Sequence, residues 1–243
     1  MKQFHNPWMF IVGAQRCGTT SLVQYLEKSS GICWVTPLRP EQRILLGDDL
    51  QAVKKWESQA EPGKLICEKA TSYIEYPSVA KKINENFVDA KVVILLRDPV
   101  ERAISNYYFT KKHGLEQRPL AEALFSKENA QLPYSTSANP YIYIERGQYT
   151  QYVQTYVNVL GRERVYIAVL ENLIASDKSR ADLIQFFGLK DIAADLSFGK
   201  ANVAERSDDE IDSATISKLT DIYRPANKQL AKEFSIDISR WKA

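Results

Sequence analysis

Apolar positions along this chain fall into short, well-separated runs, and their spacing alternates between two periods. Trp8-Met9-Phe10-Ile11-Val12 is continuous, too short for a helix, and stops at Gly13, as expected of a strand covered on both faces. From Thr19 to Lys28 the spacing predicts a helix opened by hydroxyl residues. Leu65-Ile66-Cys67 reads as a second short strand, followed by a helix that starts at Pro77 and reaches about Phe87. Lys91-Val92-Val93-Ile94-Leu95-Leu96 is the strongest strand in the chain and runs into Arg97-Asp98-Pro99. Asp98 suits an N-cap and Pro99 a first helical position, so a helix is expected to about Lys111. Further on, Gly147 to Leu160 reads as helix, Arg164 to Leu170 as strand, and Ser176 to Phe187 as a helix that Gly188 closes. Strand alternating with helix predicts a three-layer α/β/α domain around a central parallel sheet, with a P-loop-like core after the first strand.

Two stretches break the alternation. Arg118 to Pro140 has little periodicity and many Ser, Thr and Asn, so residues 118–140 are expected to form an insertion over one end of the sheet. Gly199 to Asp209 reads as a polar loop before a closing helix from Ile211 to Phe234. No linker divides the pattern, and the expectation is a single domain over residues 1–243.

Composition narrows the function classes without naming one. The chain has 243 residues, 44% hydrophobic and 26% charged, which is ordinary for a globular protein large enough to fold without a disulfide or metal staple. A net charge of +2 is too balanced for bulk attraction to nucleic acid or membrane, so any anion must be recognised locally. Cys17, Cys33 and Cys67 are irregularly spaced, and His5 and His113 are the two histidines, so no zinc or His-rich metal centre is expected. Apolar runs such as Val92 to Leu96 are far short of a membrane span, and the first residues lack a signal-peptide pattern. The expectation is a cytoplasmic protein with no metal, no nucleic-acid partner and no membrane span.

Candidate chemistry sits at the ends of the two strongest strands. Gly13-Ala14-Gln15-Arg16-Cys17-Gly18-Thr19-Thr20-Ser21 lies between the first strand and the first helix, where backbone N–H groups receive phosphate-type anions. The spacing of Gly13 and Gly18 matches a Walker A loop, but position 19 is Thr where a nucleoside-triphosphatase has Lys. Arg16 is the cation inside the loop, and the hydroxyls of residues 19–21 add side-chain donors. Arg97 stands at the C-terminal end of the strongest strand, where open α/β sheets bind ligands, and Ser105 follows about two helical turns later. A guanidinium fork with a hydroxyl suits a phosphate dianion.

Taken together these segments resemble the sulfotransferases that use 3′-phosphoadenosine 5′-phosphosulfate (PAPS). The loop from Gly13 to Leu22 resembles that family's 5′-phosphosulfate loop, and Leu96-Arg97-Asp98-Pro99-Val100-Glu101-Arg102-Ala103-Ile104-Ser105-Asn106-Tyr107 resembles its 3′-phosphate motif. Glu68-Lys69-Ala70-Thr71-Ser72-Tyr73 and the ending Asp237-Ile238-Ser239-Arg240-Trp241 are similar to the carbohydrate, heparan-sulfate-like branch and its bacterial relatives.

The resemblance implies transfer of a sulfuryl group from PAPS to a hydroxyl or amine, leaving adenosine 3′,5′-bisphosphate (PAP), without a metal ion. It implies that Arg16, Cys17, Gly18, Thr19, Thr20 and Ser21 hold the 5′-phosphosulfate, that Arg97 and Ser105 hold the 3′-phosphate, and that Arg206 lies in a basic loop over the nucleotide. Arg16 and Lys69 would stand near the sulfuryl group, and Glu41 would be the general base. Around Glu41 the chain reads Pro40-Glu41 followed by Gln42-Arg43-Ile44-Leu45-Leu46, where relatives have Lys-Glu and an aromatic-rich stretch. His113, after Lys111-Lys112, is the competing base. Tyr141, Tyr143, Arg146 and Tyr149 either border the acceptor site or belong to the core. The acceptor is expected to be a small molecule or carbohydrate of modest charge. A catalytically inactive nucleotide-binding module and a P-loop phosphotransferase are the alternatives.

Overall fold

The apolar runs become strands of one parallel sheet in the computed structural model, which describes residues 2–126, 139–193, 198 and 211–242. β1 (Trp8–Gly13), β3 (Leu65–Lys69), β4 (Lys91–Leu96) and β5 (Val165–Val169) occupy the expected places, and β2 (Ile32–Trp34) is added at one edge. The strand order is β2-β3-β1-β4-β5. β1 pairs with β3 through Phe10 opposite Glu68 and Ile11 opposite Lys69, and with β4 through Met9 opposite Lys91 and Phe10 opposite Val92. Every residue of β1 is buried, odd and even positions alike, so both faces of the sheet are covered as a three-layer α/β fold requires.

Contacts gather the chain into two compact units, one formed by Met1–Leu96 and Tyr152–Ala201, the other by Arg97–Gln151 and Asn202–Ala243. The sheet belongs to the first unit, with α1 (Thr19–Leu26), α2 (Gln51–Gln59) and α3 (Pro77–Asn86). Leu22, Val23 and Leu26 of α1 and Val79, Ala80 and Ile83 of α3 are buried at helical spacing, which supplies the packing that such short helices need. α2 buries only Val53 and is held instead through Glu57, whose carboxylate accepts from the backbone N–H of His5 and Asn6 and from Trp8 Nε1 at 2.7–2.9 Å.

The second unit opens with α4 (Pro99–Lys112) and includes α5 (Leu120–Phe125). Asp98 caps α4 by accepting from the Val100 N–H at 2.9 Å, and Pro99 is its first residue, as the sequence predicts. α6 (Tyr149–Leu160) follows, and β5 leads in the first unit to α7 (Leu170–Ala175) and α8 (Asp177–Phe187), which Ser176 caps and Gly188 ends in a left-handed conformation. α9 (Ser213–Phe234) packs Leu219 and Tyr223 into the second unit's core beside Val100, Ala103, Ile104 and Tyr107 of α4. Within the expected insertion, α5 starts just after Arg118, while residues 127–138 lie outside the described residues.

Candidate active site

β1 is the central strand, with β2 and β3 on one side and β4 and β5 on the other, so the loop leaving its C-terminal end stands at the topological switch point of the sheet. Two glycines shape that loop. A Cβ on Gly13 would stand 2.7 Å from Ile74 Cγ2, and one on Gly18 would stand 2.8 Å from Leu170 Cδ1. Gly18 is also left-handed, with φ 87°, and serves as the N-cap of α1 without any side-chain cap. Arg16 adopts φ 66°, so the loop coils tightly before α1 begins at Thr19. Cys17 is fully buried, Thr19 and Ser21 are buried, and Arg16 and Thr20 are half-buried. The first turn of a helix has no intrahelical acceptors for its N–H groups, and its dipole favours an anion there.

The segment that carries Glu41 crosses to this loop. Arg39 donates from Nη2 to Thr20 Oγ1 at 2.5 Å. Two residues on, the Glu41 carboxylate accepts from Lys69 Nζ at 2.7 Å, from the Thr71 N–H at 2.9 Å and from Thr71 Oγ1 at 3.0 Å. The Lys69 and Glu41 side chains are 6% and 12% exposed, so the ion pair is shielded from water yet the carboxylate still reaches the surface. Thus Glu41 and Lys69, 28 residues apart in sequence, are brought together at the C-terminal end of β3. Arg39 is a residue of the candidate site that sequence reasoning passed over. Its only signal was a cation two positions before Glu41, which acquires meaning once Thr20 is found within its reach.

Behind this segment lies a second carboxylate. Glu68 is buried, accepting from the Ile44 N–H at 2.9 Å and from Tyr73 Oη at 2.9 Å, while Tyr73 Oη accepts from the Leu45 N–H at 2.8 Å. Burial pushes the Glu68 carboxyl up to about 7, against the hydrogen bonds from Ile44 and Tyr73, and the charge on Glu41 adds to the rise. The Tyr73 hydroxyl is raised for the same reason, burial first and the neighbouring Glu68 charge second.

Arg97 and Ser105 belong to the second unit. Arg97 directly precedes the Asp98 cap; its Nη2 lies 3.5 Å from Glu101 Oε2, and its carbonyl accepts from Tyr149 Oη at 2.8 Å. Glu101 and Ser105 are four residues apart on α4, so the Arg97 guanidinium and the Ser105 hydroxyl lie along one face. The chain's ending braces this point: Asp98 also accepts from the Lys242 N–H at 2.8 Å, and Trp241 lies 6.0 Å from the Tyr149 ring. His113 is the C-cap of α4, with Nδ1 2.7 Å from the Phe109 carbonyl oxygen and its ring against Phe109. Tyr141, Tyr143 and Tyr149 are buried; Tyr143 Oη meets Thr110 Oγ1 and Glu116, and Tyr141 Oη donates to the Leu115 carbonyl, which gives these rings a core role. Arg206 lies outside the described residues.

A parallel α/β sheet with a glycine loop at its switch point and an oriented carboxylate-lysine pair beside it is an arrangement suited to group transfer. The family model of the sulfotransferase domain matches residues 6–207, and the chain belongs to that family. It is similar to the human heparan sulfate glucosamine 3-O-sulfotransferase 3B1, 24% identical over an alignment that covers 91% of this chain and 61% of that protein. A crystal structure of a sulfotransferase from Alicyclobacillus acidocaldarius is 25% identical, covers 98% of this chain and 99% of its own, and has a TM-score of 0.76. A mouse sulfotransferase complexed with PAP shares the fold at 14% identity and a TM-score of 0.51, covering 90% of this chain and 65% of its own. The chain spans 23%, 31% and 61% of the lengths of three curated relatives from Dictyostelium discoideum and Homo sapiens. No described helix is long and apolar enough to cross a membrane.

Proposed function

We propose that this sulfotransferase takes its sulfuryl group from PAPS and moves it in line to a hydroxyl or amine of a small-molecule or carbohydrate acceptor, leaving PAP. The observation that carries the reading is the path of residues 39–41: Arg39 rests on Thr20 at the start of α1 while Glu41 rests on Lys69, which sets a carboxylate beside an anion-binding loop. The donor, when bound, supplies a sulfur already activated by its bond to the phosphate. The loop from Arg16 to Ser21 receives the 5′-phosphosulfate through N–H and hydroxyl donors, with Arg39 adding a cation at Thr20. Arg97 and Ser105 hold the 3′-phosphate, and Glu101 orients the Arg97 guanidinium.

Glu41 accepts the acceptor's proton as the acceptor oxygen or nitrogen forms its bond to sulfur. The bond from sulfur to the bridging oxygen breaks, and its electron pair stays with the departing phosphate of PAP. Protonation of Glu41 removes the countercharge from Lys69 at the moment when negative charge grows on that bridging oxygen, so one lysine orients the base and then stabilises the leaving group.

The test is sulfuryl transfer from 35S-labelled PAPS to heparan sulfate, to desulfated heparan sulfate and to a simple phenol, alongside calorimetric titration with PAP, ADP and ATP with and without Mg²⁺. Binding of PAP in preference to ATP–Mg²⁺, with label moving to an acceptor, is expected; the reverse preference refutes the donor assignment. Glu41→Gln should lower turnover by about 10²–10⁴-fold with the PAP affinity unchanged, whereas His113→Ala should leave turnover as it is. Unchanged turnover in Glu41→Gln removes Glu41 as the base.

A further inference from the structure

The segment that carries Glu41 has no helix or strand between β2 and α2; the Leu46 N–H closes a turn on the Arg43 carbonyl at 3.0 Å, and other backbone N–H groups must find partners elsewhere or leave the segment free to move. Two of those partners are side chains that the transfer chemistry does not use. Glu68 accepts from the Ile44 N–H at 2.9 Å, and Tyr73 Oη accepts from the Leu45 N–H at 2.8 Å while donating to Glu68 at 2.9 Å. Ile44 and Leu45 are buried above this pair. Tyr73 is itself held, since its carbonyl accepts from Tyr156 Oη at 2.8 Å and its ring is fully buried. Lys82 adds a third tie by donating to the Gly47 carbonyl at 2.7 Å.

Successive residues of a strand point to opposite sides. Lys69 therefore grips Glu41 on one side of the end of β3 while Glu68 grips Ile44 on the other, and the segment is wrapped around the strand's end. A carboxylate on an unstructured loop would lose orientation with every backbone rotation between residues 41 and 45. Here the rotations are stopped three residues downstream of Glu41 by a buried acceptor pair.

We infer that Glu68 and Tyr73 are positioning residues for sulfuryl transfer: by accepting the N–H groups of Ile44 and Leu45 they fix the loop that holds the Glu41 carboxylate against Lys69. The inference rests on Glu41 as the base, and the experiment separates the two claims. Tyr73→Phe removes one hydroxyl and leaves the buried ring in place; Glu68→Gln keeps the volume and loses the charge. Each is measured for release of PAP from PAPS with heparan sulfate as acceptor, with the active concentration counted by PAP titration, and for hydrogen exchange of the peptide covering residues 41–46.

Both variants should bind PAP within about twofold of the wild type, with KM for PAPS unchanged and kcat lowered tenfold or more. The double variant should lose no more than the larger single loss, because the two side chains act as one unit. Exchange at residues 41–46 should accelerate at least tenfold while β1 and β4 stay protected. Unchanged exchange in Tyr73→Phe overturns the inference whatever the acceptor does, and so does an unchanged kcat alongside a crippled Glu41→Gln. If Glu41→Gln itself retains full turnover, the base assignment falls instead, and the exchange result still decides whether the pair holds the loop. A merely structural role would lower the PAP-binding fraction and melting temperature and leave kcat per binding molecule as it was.

Discussion

Replacing Glu68 by Gln should change the way stability depends on pH, with a sign opposite to that of an ordinary salt-bridged carboxylate. The Glu68 carboxyl is raised from 4.5 to about 7, chiefly by burial. Between those values the folded protein keeps a proton that the unfolded chain has released. Stability therefore falls as pH rises through this window, and the loss is complete above the folded value. A rise from 4.5 to about 7 corresponds to about 3 kcal/mol in all, or roughly 6–12 °C in melting temperature for a chain of this size. Asp191, held down to about 2 by hydrogen bonds from Ser29 and Ser30, titrates below the window, and groups common to both proteins cancel in the difference. The assay is thermal unfolding of wild type and Glu68→Gln at pH 5, 6, 7 and 8, followed by tryptophan fluorescence; Trp8, Trp34 and Trp56 lie in the first unit with Glu68. The wild type should lose stability relative to the variant by most of that amount between pH 5 and pH 8. Parallel curves, within about 2 °C across the range, would refute the claim that an ionised Glu68 is buried at a cost.

Three further outcomes follow from the site. Arg97→Ala should weaken PAP by about 2–4 kcal/mol while changing the affinity of adenosine 5′-phosphosulfate, which lacks the 3′-phosphate, by much less; equal losses in calorimetry would remove Arg97 from the 3′-phosphate. Arg39→Ala should weaken PAPS about 10–100-fold through loss of a charged donor at Thr20, with the melting temperature nearly unchanged, and an unaltered KM for PAPS would deny Arg39 a place at the donor. Gly18→Ala forces a Cβ into a left-handed residue 2.8 Å from Leu170 Cδ1, so a loss of about 1–3 kcal/mol in unfolding free energy is expected, together with weaker PAP binding; a variant as stable as the wild type would show that the loop tolerates another shape.

Much of this molecule is written locally in its sequence. The apolar runs of β1 and β4 need no partner to be recognised as buried strands, and the Asp98-Pro99 start of α4 and the Ser176 and Gly188 ends of α8 are set by residues within a turn of each terminus. The glycine loop is legible from the spacing of Gly13 and Gly18 between a strand and a helix, although the side chains that crowd the two glycines, Ile74 and Leu170, are distant in sequence. β2 and α2 carry no such local signal. β2 is three residues whose hydrogen bonds come from β3, and α2 is a polar helix that buries Val53 and relies on Glu57 reaching back to His5, Asn6 and Trp8.

The residue types of the candidate site, an Arg in the loop, a Glu after β2, a Lys ending β3 and an Arg after β4, stand in the sequence at the ends of the predicted strands. Tertiary structure alone decided that Glu41 meets Lys69 and Thr71, that Arg39 reaches Thr20, and that Glu68 and Tyr73 stand behind the loop between them. It also assigned Tyr141, Tyr143 and Tyr149 to the core instead of an acceptor wall. The physical division is one of range. Periodicity, caps and glycine turns are satisfied by atoms a few residues away, whereas a hydrogen bond or ion pair across 20 or 30 residues of chain exists only once the sheet has set which strand ends lie side by side.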